Sequence, residues 1–345
     1  MGERAATSVT FLTNGENTPS SRFRVQQFVE HVAEEFDYRV RPGRFMTGTS
    51  YSRYVNAFHT GNRAREILVD GLTGRRFFIQ RMLIYRNDVA LEKLLFSVAK
   101  DGVIVDFDDA IFLANPNFAY TVRRADLVVA GNAFLAEWAS SFAQNVKVIP
   151  TCVDHERYLV ERQPNRPVDR KIRVGWTGTK DNIVYLQPLA GILCKLQRKY
   201  KFDFVLVSDS DFLPAFLTGM DVQMVRWSRV REVEQLADID IGLMPLPRDD
   251  WARGKCGFKL LQYMATGAVA IGSAVGANKE IIEHGRNGLL CESVDDWAAG
   301  LEWIVSEFDT EGIRHMAVEA RNTIVNQYSV AANWDSFTKA ITELR

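Results

Sequence analysis

Along the first half of the chain, short runs of β-branched and aromatic residues alternate with stretches whose apolar positions recur every three or four residues. The first pattern predicts buried strands and the second amphipathic helices. TSVTFLT (7–13), FFIQRMLIY (77–85), GVIVDF (102–107), DLVVAG (126–131) and VKVIP (146–150) are the strand candidates. After the polar turn NGENTPSS (14–21), RFRVQQFVEHVAEEF (22–36) sets Val25, Phe28, Val29, Val32 and Phe36 on one helical face. Further helical patterns lie around 88–99 and 132–142, whereas 42–76 is polar, basic and without a clear period.

The second half repeats the alternation. IRVGWTG (172–178), FDFVLVSD (202–209), DVQMVRW (221–227), IDIGLMPL (239–246) and AVAIGSA (268–274) predict strands, and Leu186, Leu189, Leu193 and Leu196 mark a helical face among them. Strands separated by helices need crossover connections, hence a parallel sheet. Two such series, joined through the polar, proline-containing VDHERYLVERQPNRPVDR (153–170), predict two α/β domains. YSVAANWDSFTKAITEL (328–344) closes the chain as amphipathic helix.

Composition then narrows the chemistry. A net charge of -1 removes the basic excess that a general nucleic-acid binder needs. Cys152, Cys194, Cys256 and Cys291 form no CxxC pair and the histidines no HExxH, so we read reduced thiols in a cytoplasmic protein, with no metal and no resident cofactor. No apolar run approaches the ~18–20 residues that span a bilayer. MGERAATSVTFLTNG (1–15) carries no cleavage pattern and reads as a disordered lead into the first strand. One local excess stands out: residues 39–93 hold eleven Lys and Arg (Arg39, Arg41, Arg44, Arg53, Arg63, Arg65, Arg75, Arg76, Arg81, Arg86, Lys93) against four acids (Glu66, Asp70, Asp88, Glu92), eleven minus four giving +7. It is expected to meet an anionic membrane surface, peripherally at the inner face, or an acidic glycan; scattered solvated arginines are the alternative.

Open parallel sheets bind ligands beyond the carboxyl ends of their strands. No GxGxxG opens either half, which argues against a dinucleotide. The most informative stretch is DIDIGLMPLPRDDWARGKCGFKLLQYMATGAVAIGSAVGANKEIIEHGRNGLL (238–290), where a strand leads through Arg253, Gly254, Lys255 and Gly257 into a helix over 258–265. Glycine admits close backbone approach, and a helix N-terminus offers N–H groups and partial positive charge, so the turn suits a diphosphate. Lys255 is the first candidate ligand there, with Gly257 and Phe258 at the helix start; Lys259 is the alternative, expected to face solvent. Gly178, Thr179 and Lys180 sit at a strand end before a helix, a geometry that again favours phosphate; Ser208 beside Asp209 is a polar neighbour, and Trp227 with Ser228 follows a strand, where Trp227 either stacks on a ligand or caps the core. In the first half, Asp108 and Asp109, next to Asp106, are strand-end carboxylates that can orient ligand hydroxyls or act as a general base; a solvated acidic turn is the alternative. Gly15 and Arg22, with Arg24, are candidates for the diphosphate from the first domain.

The long segment resembles retaining glycosyltransferases of the large family four, which have the GT-B fold. That family's DIGLxP strand, glycine-rich loop, AMAxG helix end and SxVGGxxExIxxGxNGLL run are matched in order by Asp240-Ile241-Gly242-Leu243, Met264-Ala265-Thr266-Gly267, Ser273, Val275-Gly276, Glu280-Ile281 and Gly285 to Leu290. VIPTCVDHERY (148–158) and VGWTGTKDN (174–182) are similar to the family's interdomain passage and first donor-domain turn, and SSRFRVQQ (20–27) and DFDDAIF (106–112) to a subgroup in cell-surface polysaccharide assembly. The resemblance implies two facing Rossmann-like domains: an acceptor side over 1–155, with 330–345 packed on it, and a donor side over 156–329. It implies transfer, with retention and without a metal, from a nucleotide-diphosphate sugar to a glycan or lipid-linked acceptor. The family's two glutamates, which contact the transferred sugar and the ribose, align with Gly254 and Gln262. Gln262 still offers hydrogen bonds to a ribose; Gly254 offers no side chain. A non-hydrolysing nucleotide-sugar epimerase and an inactive nucleotide-sugar-binding scaffold remain the alternatives.

Overall fold

The computed structural model describes residues 7–32, 36–43, 53–83, 89–158 and 170–344. The side chains of Val32 and Arg53, with Arg44, Arg86, Asp88 and residues 159–169 of the joint, lie outside that description. The chain divides into two compact units, Met1–Cys152 with Gly254–Cys256 and Asn333–Arg345, and Val153–Arg253 with Gly257–Ala332. Each is a six-stranded, wholly parallel sheet with connecting helices, the α/β architecture that the alternation predicts.

In the first unit β1 (Ser8–Thr13), β2 (Asp37–Pro42), β3 (Arg76–Gln80), β4 (Val103–Phe107), β5 (Leu127–Ala130) and β6 (Val146–Val148) lie in the order β2-β1-β3-β4-β5-β6. Phe11 and Phe78 face one layer of the core, and Phe337 from the last helix stacks on Phe28 at 4.2 Å between ring centroids. β3 is shorter than the 77–85 run suggests. Arg81 takes a left-handed φ of 60°, and its N–H donates to the Asp106 carbonyl at 2.6 Å, which turns the chain off the sheet. The helix expected over 22–36 begins earlier, at Pro19, passes through a π-helical turn at Arg22–Gln26 and continues as Gln27–Val32, leaving Phe36 outside it.

In the second unit β7 (Arg173–Gly178), β8 (Asp203–Ser208), β9 (Val222–Arg226), β10 (Ile241–Met244), β11 (Val269–Ser273) and β12 (Leu289–Cys291) give the order β12-β11-β10-β7-β8-β9. The order reverses between β7 and β10, and such a switch point is where open α/β sheets take ligands. Tyr263 pins the two strands: its hydroxyl accepts the Thr177 N–H at 2.8 Å and donates to the Leu243 carbonyl at 3.4 Å. The ring fits only because residue 242 is glycine, whose added Cβ would stand 2.2 Å from it. Pro188 lies in a 3-10 segment, Lys180–Leu189, so the predicted leucine face is split between that segment and the Ala190–Tyr200 helix.

Several arginines of 39–93 among the described residues are already paired. Arg39 and Arg41 both pair with buried Asp70, Arg63 with Glu66, Arg75 with Asp37, and Arg81 with Asp108 and Asp109. Arg76 donates to the carbonyls of Asp101 and Ile341. Among the described residues no helix is long and apolar enough to cross a membrane.

Candidate functional site

At the carboxyl edge of the second unit's sheet, four loops carry the predicted donor residues. The turn after β7 holds Gly178, Thr179 and Lys180. Lys180 is exposed, and it is its backbone N–H that is engaged, donating to Asp209 at 2.6 Å. Ser208 is buried, its hydroxyl accepting the Ser210 N–H at 3.3 Å, so it shapes the loop after β8 rather than facing outward. After β9, Trp227 donates its backbone N–H to the Ser208 carbonyl at 2.8 Å, and Gln235 braces the turn through the Ser228 N–H and the Arg226 carbonyl.

The fourth loop runs from β10 into the Phe258–Ala265 helix. Ser273 accepts the Leu246 N–H at 2.9 Å, and Asn278 donates to the Ser273 carbonyl at 2.9 Å, which ties this loop to the one after β11. Gly276, at φ 51°, passes so close to Arg253 that a Cβ would stand 2.6 Å from its carbonyl oxygen. Arg253 itself is exposed and paired with Asp250. Gly257 opens the helix at φ 66°.

Lys259 departs from its expected outward pose. It is half-buried, its Cε would meet a Cβ on Gly178 at 2.8 Å, and its ammonium stands 5.5 Å from the Trp176 ring centroid. One cation thus joins the glycine turn after β7 to the first turn of the helix. Gln262, one turn further along, is 4% exposed and donates to the Tyr158 hydroxyl at 2.9 Å.

Lys255 is placed differently, because Gly254–Cys256 belongs to the first unit. Its ammonium stands 3.9 Å from Asp109, and its side chain is only 16% exposed, not the free loop lysine that the sequence suggests. Asn132 donates to the Lys255 carbonyl at 3.2 Å and the Cys256 thiol to the Asp108 carbonyl at 3.2 Å. Burial, with Asp108 adding to it, raises the Cys256 thiol and holds it neutral.

The acidic turn after β4 is already charge-matched. Arg81 donates to Asp108 at 2.6 Å and to Asp109 at 2.5 Å. Their geometry suits holding Arg81 and Lys255 in place. Sequence reading missed Arg81, which no spacing marks. Asp106 is buried against Arg24, which also donates to the Ile149 carbonyl at 2.6 Å. Burial works against charge on both partners, yet Asp106 holds the Arg24 guanidinium protonated. Arg24 therefore neither faces solvent nor waits for a phosphate. Arg22 is likewise buried, its guanidinium over the Phe23 ring at 4.7 Å, and Gly15 is buried against Thr18.

Residues 173–307 match the family model of glycosyl transferases group 1. A stretch of 72 residues is 38% identical to N-acetyl-α-D-glucosaminyl L-malate synthase of Bacillus anthracis, covering 21% of this chain and 19% of that protein. Whole-chain likeness is to solved structures. Sucrose-phosphate synthase of Thermosynechococcus elongatus has a TM-score of 0.73 at 13% identity, with 98% and 99% of the two chains covered. A glycosyltransferase of Rickettsia africae gives 0.68 at 13%, covering 99% of each. Anabaena HepE in complex with UDP and glucose gives 0.67 at 14%, covering 98% and 100%. At such identities the likeness establishes the fold, an α/β chain of GT-B class.

Proposed function

We propose that this chain is a glycosyltransferase that moves a sugar from a nucleotide-diphosphate sugar to a glycan or lipid-linked acceptor. The observation that carries the reading is Lys259 laid across the Gly178 turn at the glycine-opened start of the Phe258–Ala265 helix. Breaking the bond from sugar to diphosphate builds negative charge on the leaving group. A fixed ammonium and a helix N-terminus stabilise that charge without reorganising. The group 1 match over 173–307, which contains these elements, supports the same assignment.

In this reading Gly178, Thr179, Gly257 and Phe258 line the diphosphate, Trp227 and Ser228 the nucleoside, and Lys180, Arg253 and Ser208 lie around them. Lys255, with Asp109, is the second candidate cation. Transfer proceeds with retention by front-face attack, the leaving diphosphate accepting the acceptor's proton. The likeness of SSRFRVQQ and DFDDAIF to one subgroup supports a role in cell-surface polysaccharide assembly, at the cytoplasmic face of a membrane.

One observation favours the binding scaffold as a second reading: Gly254, aligned with the sugar-contacting glutamate, has no room for a side chain. Incubating the protein with UDP-, GDP- and ADP-sugars, with and without glycan acceptors, separates the two. Acceptor-dependent release of nucleoside diphosphate is the expected result. Tight binding with no release would establish the scaffold, and an epimerised sugar without acceptor would establish an epimerase.

A further inference from the structure

A second polar assembly in the same unit lies one turn along the helix from Lys259. Gln262 donates to the Tyr158 hydroxyl at 2.9 Å, and that hydroxyl stands 3.5 Å from one carboxylate oxygen of Glu232. The other oxygen of Glu232 accepts the Trp227 indole N–H at 3.1 Å. Tyr158 is 1%, Gln262 4% and Glu232 5% exposed, whereas Trp227 is half-buried. Burying a carboxylate is costly, and here a phenol and an indole are among its partners, with the carboxylate at the start of the Glu232–Ala237 helix. That is a large investment of polar groups for packing alone.

We propose that Glu232 binds the ribose diol of the nucleotide donor, with Tyr158 and Gln262 as positioning residues. Three features point there. The Glu232 loop follows β9 on the carboxyl edge of the sheet, where α/β folds take nucleotides and use a carboxylate for ribose hydroxyls. Lys259 and Gln262 are three residues apart and so share a helix face, which sets the Glu232 assembly beside the phosphate position, as ribose stands beside phosphate in a nucleotide. Trp227 holds the carboxylate by its N–H and packs half-buried against the core at the end of β9. The turn of the Gln262 amide onto Tyr158 also explains how a glutamine stands on this helix where a carboxylate is expected: the carboxylate comes from Glu232.

This assignment rests on the donor-site reading above, and the test separates them. Calorimetry would compare the nucleoside diphosphate that wild type binds best, among UDP, GDP and ADP, with its 2′-deoxy counterpart. Wild type should prefer the ribonucleotide by roughly tenfold or more, the worth of a hydrogen bond to a charged group. Glu232→Gln should bring the two ligands to about the same affinity, while Lys259→Ala weakens both and keeps their ratio. If folded Glu232→Gln kept the wild-type preference, or wild type showed none, the assignment would be overturned with the diphosphate site intact. Wild type binding no diphosphate would overturn both. Should Glu232→Gln not fold, Tyr158→Phe serves: it should cut the preference by about threefold or more, and an unchanged preference would refute the proposal.

Discussion

A Cβ built on Gly254 would stand 2.5 Å from the Cβ of Ala110 and 2.7 Å from its amide nitrogen. Backbone cannot swing aside as a side chain can, so glycine is required there for packing. Gly254→Ala should destabilise the protein by about 1–3 kcal/mol, as overpacking does. Gly254→Glu should destabilise it further without gaining transfer. A Gly254→Glu protein with wild-type denaturation midpoint and raised turnover would refute this packing account.

Arg81 combines a left-handed backbone with the two ion pairs to Asp108 and Asp109. Arg81→Gly and Arg81→Ala both remove the pairs, but only alanine keeps the strain of about 1–2 kcal/mol. Both should lower transfer, and urea midpoints should place the alanine variant below the glycine one. The reverse order would mean that φ at this position is not strained.

Asp108 and Asp109 should serve transfer more than nucleotide affinity. Asp109→Asn is expected to lower kcat far more than it changes nucleoside-diphosphate Kd, the signature of an interaction made mainly outside donor binding. Full activity in both single asparagine variants and in the double variant would leave these acids a structural role only.

Asp70 makes the first unit acid-labile. Burial raises its carboxyl, but hydrogen bonds from Arg41 and Arg39 outweigh this and hold it below the ordinary range. Asp37 is lowered too, by hydrogen bonds from Arg75 and Ser8. A carboxyl whose folded pKa lies below its unfolded value of ~3.9 stabilises the fold above that value and loses its contribution as pH falls through the folded one. Stability should therefore drop on acidification below about pH 4, less steeply in Asp70→Asn. At neutral pH that variant should lose less than the ~3–5 kcal/mol of a fully buried broken pair, since Arg39 and Arg41 are 42% and 32% exposed. Urea midpoints across pH check both; equal pH slopes in the two proteins would contradict the assignment.

The thiols should differ in reactivity. Burial pushes Cys152 and Cys291 up to about 12 and raises Cys256, whereas Cys194 is half-buried. In the native protein a thiol reagent at mildly alkaline pH should label Cys194 first, the others following on unfolding. Rapid native labelling of Cys256 would show that its loop opens.

Of the twelve strands among the described residues, ten were legible, most of them because their apolar runs are buried on both faces, though β6 and β9 are largely exposed or half-buried. β2 escaped, since DYRVRP offers only Tyr38 and Val40 between polar residues. The helix Arg53–Leu72 escaped for a more telling reason. Its buried positions include Arg63 and Asp70 beside Ile67, while Phe58, Leu68 and Leu72 are exposed, so hydrophobic periodicity points the wrong way. At the candidate site, the glycine turn and its lysines were visible in the sequence. Which unit receives Lys255 and which Lys259 was not, because the division runs between Cys256 and Gly257, inside one short loop. The oddity of Gly254 was visible as well, but not Ala110, more than a hundred residues away, as its cause.

Calorimetric titration of wild type, Lys259→Ala and Lys255→Ala with UDP, GDP and ADP tests the central claim most directly. A charge-assisted hydrogen bond contributes ~1.5–3 kcal/mol, so Lys259→Ala should weaken the preferred diphosphate by roughly ten- to over a hundredfold. Lys255→Ala should lose less, because its ammonium is held near Asp109. If wild type bound none of the three, or folded Lys259→Ala bound the preferred one as tightly as wild type, the donor site would not be where this account puts it.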